Sequence, residues 1–80
     1  MLIKAMIPKK TEYVASFNDT PYHTEKDYWT TVNVEDTKNV HYIKHLAREN
    51  LSKQIAMKEF CDIRYYKNIW LDVADIQVQL

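Results

Sequence analysis

The residues best suited to metal chemistry in this chain are three histidines, of which His41 and His45 stand four apart. On a helix that spacing sets both imidazoles on one face, where a third ligand would complete a site. Tyr42, Ile43 and Lys44 lie between them, so there is no His-Glu-x-x-His arrangement, and the Lys44 ammonium repels a cation. On a strand the same pair lies about 13 Å apart, too far for one ion. Exposed polar histidines are therefore expected at 41 and 45, with His23 in a loop and His41 left as a polar contact for a partner. No metal is expected.

Catalytic groups are equally sparse. The carboxylates Glu35, Asp36, Glu49, Glu59, Asp62, Asp72 and Asp75 are scattered, mostly beside bases or turns. No nucleophile is paired with a base and an orienting group. Glycine is absent, which removes the phosphate-cradling loops of the P-loop and dinucleotide folds. Turns that need positive φ must then fall on other residues, and Asn and Asp tolerate that region best. Cys61 is the single cysteine; it cannot form an internal disulfide and suits a reducing cytoplasm. After Phe60, near a helix end, it reads as a half-buried structural thiol. Neither enzymatic activity nor a cofactor is expected.

The aromatic residues carry more. Tyr22, Tyr28, Trp29, Tyr65, Tyr66 and Trp70 are many for 80 residues, and Trp29 and Trp70 are the expected core anchors. Tyr65 and Tyr66 are adjacent, so in an extended chain one of them faces solvent. Tyr and Trp with Arg are the residue types that dominate interface hot spots, and Tyr65 or Tyr66 with Arg64 and Lys67 would compose a partner-binding patch; Tyr22 and His41 are added as further partner contacts. The same types can stack bases beside cations, with Lys9 and Lys10 contributing. Eleven basic residues cancel eleven acidic ones, so no net field attracts nucleic acid or anionic lipid, and a protein partner is favoured.

These residues need elements to hold them. One small domain, residues 1–80, is expected, with 46% hydrophobic residues to fill a core. No stretch matches a signal segment or a membrane span, which points to a cytoplasmic protein. LIKAMI (2–7), stopped by Pro8, reads as a first strand. EYVASF (12–17) reads as a short strand or a helical turn, and NDTPYHTEKD (18–27) as a surface loop. Residues 28–34 read as a strand rich in β-branched and aromatic side chains, and EDTKN (35–39) as a hairpin loop.

NVHYIKHLARENLSKQIAMKEF (39–60) is open to two readings. As one helix, Val40, Ile43, Ala47, Leu51 and Ile55 form an apolar stripe. As a strand ending near Ala47, it hands over at Asn50, a natural N-cap, to a helix over 51–61. Residues 67–80 alternate as a closing strand, with a parity switch at Ala74-Asp75 that calls for a bulge or bend.

The succession AREN, LSKQIAMKEF, RYYKNIW, LDVADIQV resembles a pattern of short bacteriophage early and accessory proteins. That group includes small RNA-polymerase inhibitors and several anti-CRISPR proteins with a few antiparallel strands packed on one helix. The likeness covers residues 28–80 and is one of shape, with no active-site residue to carry over. It implies the strand-then-helix reading of 39–60, in an α+β fold of three to four antiparallel strands with one principal helix over 51–61. It also implies a protein of the host-cell cytoplasm that binds a host machine, such as a polymerase or defence complex, stoichiometrically and occludes it. An exposed sheet edge near 69–78 offers a route to dimerisation. A nucleic-acid-binding accessory protein is the competing reading.

Overall fold

The computed structural model describes residues 1–80, the side chain of Asp19 excepted. Six strands run in the order β1 (Leu2–Ile7), β2 (Glu12–Ala15), β3 (Asn18–His23), β4 (Tyr28–Asn33), β5 (Ile69–Trp70) and β6 (Gln77–Gln79). A single long helix, α1 (Val40–Glu59), lies between β4 and β5. The fold is α+β, and its strands divide into two three-stranded antiparallel sheets, ordered β4-β1-β6 and β3-β2-β5.

The helix corrects the favoured reading of residues 39–60. It starts at Val40, where the Asn39 side-chain oxygen accepts the Tyr42 N–H at 3.0 Å, which satisfies one orphan amide of the first turn. Asn50, the expected cap, sits mid-helix. The reason is periodicity: helical spacing buries Ile43, Ala47, Leu51 and Ile55 completely. A strand would have put His41, Ile43, His45 and Ala47 on one face, mixing charge with core. Tyr42, which a strand would have buried, is half exposed on the far side.

The first sheet supplies the other half of the core. β1 directs Ile3, Ala5 and Ile7 inward, and antiparallel pairing sets Val32 beside Ile3 and Tyr28 beside Ile7. Alternation then leaves Trp29 on the open face, opposite Met6, so it is not the core anchor its size suggested. Trp70 is likewise exposed, at 62%. Its strand neighbour Ile69 takes the inward place, because successive residues point to opposite faces.

Two further expectations change. Residues 18–23 are a strand, not a loop: β3 pairs Tyr22 with Tyr13 and His23 with Glu12. Pro21 is compatible because β3 is an edge. The closing strand of 67–80 is divided, with β5 in one sheet and β6 in the other. A 3-10 turn at Val73–Asp75 separates them, where the parity switch called for a bend. Ile69 and Leu71 before it and Ile76 after it are all buried. The stretch 69–78 therefore has no continuous edge. Residues 63–68 are a 3-10 helix instead of an extended linker.

The missing glycines have a visible consequence. Positive φ falls on Lys10 (68°) and Cys61 (57°), not on Asn or Asp. Cys61 follows the C-cap Phe60, reverses the chain out of α1, and is exposed, contrary to the half-buried thiol expected. At Lys10 the turn is held by a buried threonine pair: Thr11 and Thr24 hydroxyls both donate to the Pro8 carbonyl, at 2.6 and 2.9 Å. No helix is long and apolar enough to cross a membrane.

Candidate functional site

The end of α1, the β2–β3 turn and the 3-10 helix at 63–68 meet in one aromatic cluster. Phe60, at the helix C-cap, is its hub. Its ring meets Phe17 edge-on with centroids 5.4 Å apart, Tyr22 at 5.3 Å and Tyr13 at 6.5 Å. Tyr13 and Tyr22 stack across the β2–β3 pair at 5.7 Å, and Tyr65 leans on Phe17 at 5.4 Å. Offset and edge-to-face packing of this kind adds stability beyond area burial. The inner rings belong to the core, whereas Phe17 and Tyr65 remain 49% and 43% exposed. A pair of large aromatic side chains is thus held open to solvent on a packed aromatic base.

This arrangement sorts the expected partner residues into separate places. Tyr65 and Tyr22 join the cluster. Arg64 is beside them but engaged: its guanidinium grips Asp62 through Nη2 at 2.7 Å and Nε at 3.1 Å. The hydrogen bond from that side chain, then the Arg64 backbone N–H, hold the Asp62 carboxyl below the usual carboxylate range.

Tyr66 and Lys67 turn to the other side. There Tyr66 is half-buried, with the Lys53 ammonium 5.0 Å and the Lys67 ammonium 5.9 Å from its ring centroid. Nearby, the Arg48 guanidinium lies 4.5 Å over the exposed Trp70 ring. Tyr66, Lys67, His45, Arg48 and Trp70 line one groove of ≈ 350 Å³. On the far side of Trp70, Glu12, Asp72 and Asp75 line a second groove of ≈ 530 Å³.

His41 joins none of these places. It is an exposed residue in the first turn of α1. The long helix does return it to a position one turn from His45, reversing the separation that a strand implied. His45 faces Arg48, with Nδ1 and Nη2 3.3 Å apart. Among the described residues no group of three or more His, Cys, Asp or Glu side chains is placed to hold a metal ion.

Three residues of the site were not singled out for it in the sequence. Phe17 and Phe60 are distant in the chain and meet through the tertiary fold alone. Glu59 had a local signal: it is an acid in the last turn of a helix, where the backbone dipole disfavours one. Its carboxylate takes hydrogen bonds from Tyr13 and Tyr28 hydroxyls, at 2.7 and 2.6 Å. It borders a cleft of ≈ 590 Å³, beside Tyr22 and Phe60. No family model matches the chain, and no curated protein or solved structure matches it either.

Proposed function

We propose that the chain acts by stoichiometric binding to a protein partner, with the Phe17–Tyr65 pair as the anchor. The observation that carries this reading is the exposure of both rings on a packed aromatic base. Aromatic side chains lose little conformational freedom on binding when they are already held, and such anchors dominate interface energetics. The balanced charge of the chain also suits a protein surface better than a polyanion. The resemblance to short bacteriophage accessory proteins supports a host machine as the partner, occluded at a functional surface. A polymerase and a defence complex are the two kinds it suggests.

The test is capture of partners from host lysate by the tagged chain and by a Phe17→Ser/Tyr65→Ala double variant. One protein retained at defined stoichiometry by the parent, and weakened at least about tenfold in the variant, is the expected result. Equal capture by both proteins removes the proposed anchor.

A second reading, nucleic-acid binding, draws on the grouping of Lys53, Lys67 and Arg48 around Tyr66 and Trp70. Three cations there predict a shallow salt dependence, with a log–log slope near −2 for single strands. Titration of labelled DNA and RNA at two salt concentrations separates the readings. Tight binding with a log–log salt slope near −2 would displace the protein-binding one.

A further inference from the structure

The last turn of α1 carries Lys58, the cation a helix C-terminus favours, yet the helix ends on an acid. Glu59 is its last residue, where unpaired carbonyls already concentrate negative potential and a cation is the stabilising choice. Glu59 is half-buried, and none of the ion pairs among the described residues includes it. Two phenols hold it instead. The Tyr13 hydroxyl donates to Oε1 at 2.7 Å and the Tyr28 hydroxyl to Oε2 at 2.6 Å. A carboxylate offers about four acceptor positions, so these two bonds orient the group and leave each oxygen with room for another donor.

The surroundings suit a flat cation. Glu59 borders the ≈ 590 Å³ cleft together with Tyr22 and Phe60, and Glu25 adds a second carboxylate. Cations already touch this cleft: the Lys26 ammonium lies 5.4 Å from the Tyr28 ring centroid, and Lys58 is on the rim. Both lysines are exposed, and neither pairs with Glu59. His23, also lining the cleft, lies 3.7 Å from Glu25. An acid at the terminal position of a helix, where an aromatic-lined cleft opens, is a pattern found at functional sites.

We propose that this cleft receives the guanidinium of an arginine side chain from the protein partner, with Glu59 as its counter-charge and the Tyr22 and Phe60 rings, which meet at 78°, as the apolar corner it packs into. Arginine fits better than lysine because its planar fork can address both carboxylate oxygens while one face rests on an aromatic ring. The inference rests on the protein-binding reading, since Phe60 and Tyr22 are shared with the cluster that carries Phe17 and Tyr65. It specifies a partner with an arginine adjoining an apolar contact.

The experiment titrates N-acetyl-arginine-methylamide, its citrulline counterpart and its lysine counterpart into isotope-labelled protein, followed by NMR. The expected result is saturable shifts confined to Tyr13, Tyr22, Tyr28, Phe60 and Glu59, with a Kd on the order of millimolar for arginine and at least about tenfold weaker binding of citrulline. Glu59→Gln is expected to abolish the preference for arginine over citrulline. Should that variant not fold, the comparison of arginine with citrulline on the parent protein decides alone. Absence of saturation up to about 50 mM, or equal shifts with citrulline, overturns the proposal. If either occurs while Phe17→Ser/Tyr65→Ala still loses the captured partner, the arginine site falls and the aromatic anchor stands.

Discussion

Lys10 and Cys61 hold positive φ in a chain that has no glycine, and each stores about 1–2 kcal/mol of steric strain between Cβ and the backbone. Glycine at either position would relieve that strain and return part of the gain as unfolded-state entropy. Lys10→Gly and Cys61→Gly are expected to stabilise the protein by about 0.5–1 kcal/mol each, read as a rise of a few degrees in Tm by calorimetry. The Glu59 triad works at the same scale with the opposite sign. Loss of a bond to a charged group makes Tyr13→Phe or Tyr28→Phe cost about 1.5–3 kcal/mol by denaturant titration. Burial first, then the bond to Glu59, push both phenols far above the ordinary tyrosine value of 10.0. Below about pH 9 both states keep these protons and stability is unaffected by them. Above it the unfolded chain releases protons that the folded one retains, so stability must fall. Alkaline unfolding should therefore be steep in the parent and shallower in either Phe variant.

At the scale of elements, α1 makes a contrast between two asparagines. Asn39 caps the helix through the Tyr42 N–H, so Asn39→Ala should cost about 1 kcal/mol. Asn50 lies inside the helix, where alanine is the better former, so Asn50→Ala should be neutral or gain up to about 0.5 kcal/mol. A strand-then-helix arrangement would reverse the two results, and urea midpoints decide it. Leu51→Ala, at the fully buried centre of the stripe, should cost about 2–5 kcal/mol. The sequence carried much of this architecture. An apolar run stopped by Pro8 marked β1, β-branched and aromatic density marked β4, the stripe from Val40 to Ile55 described the helix, and the parity switch near Ala74 marked the bend. What misled was a second local pattern equally compatible with the same residues: VHYIKHLA also alternates, and Asn50 is also a good cap. The faces of Trp29 and Trp70 were not legible because strand pairing decides them. NDTPYH read as a loop because edge strands accept proline and polar residues that interior strands refuse. The aromatic cluster was legible in its membership of Tyr22 and Tyr65 and illegible in its hub, since nothing local links Phe17, in the β2–β3 turn, to Phe60.

For the molecule as a whole, the two sheets differ in what holds them. β1 and β4 pair over six consecutive residues, whereas β2 meets β3 through an irregular ladder and β5 through two pairs. Hydrogen exchange should therefore protect β1, β4 and the centre of α1 most, with the amides of β2 and β5 opening at lower free energy. A result with β2 as the most protected strand would refute that ranking. The aromatic anchor and the Glu59 cleft both draw on β2 and β3, so the proposed binding surface lies on the more pliable of the two sheets. The order of assembly follows from the other one. β1 is the central strand of its sheet, and its second neighbour, β6, pairs residues 77–79 with residues 4–6. As the chain leaves the ribosome, β1 can find β4 after some thirty residues of synthesis, yet one side of it stays open until residue 79 has emerged. Non-local closure of this kind is slow, and an open edge is where strangers pair. The chain's most exposed moment is therefore in its making: β1 stays an unfinished strand while residues 34–76 are added, and β6 is what closes it.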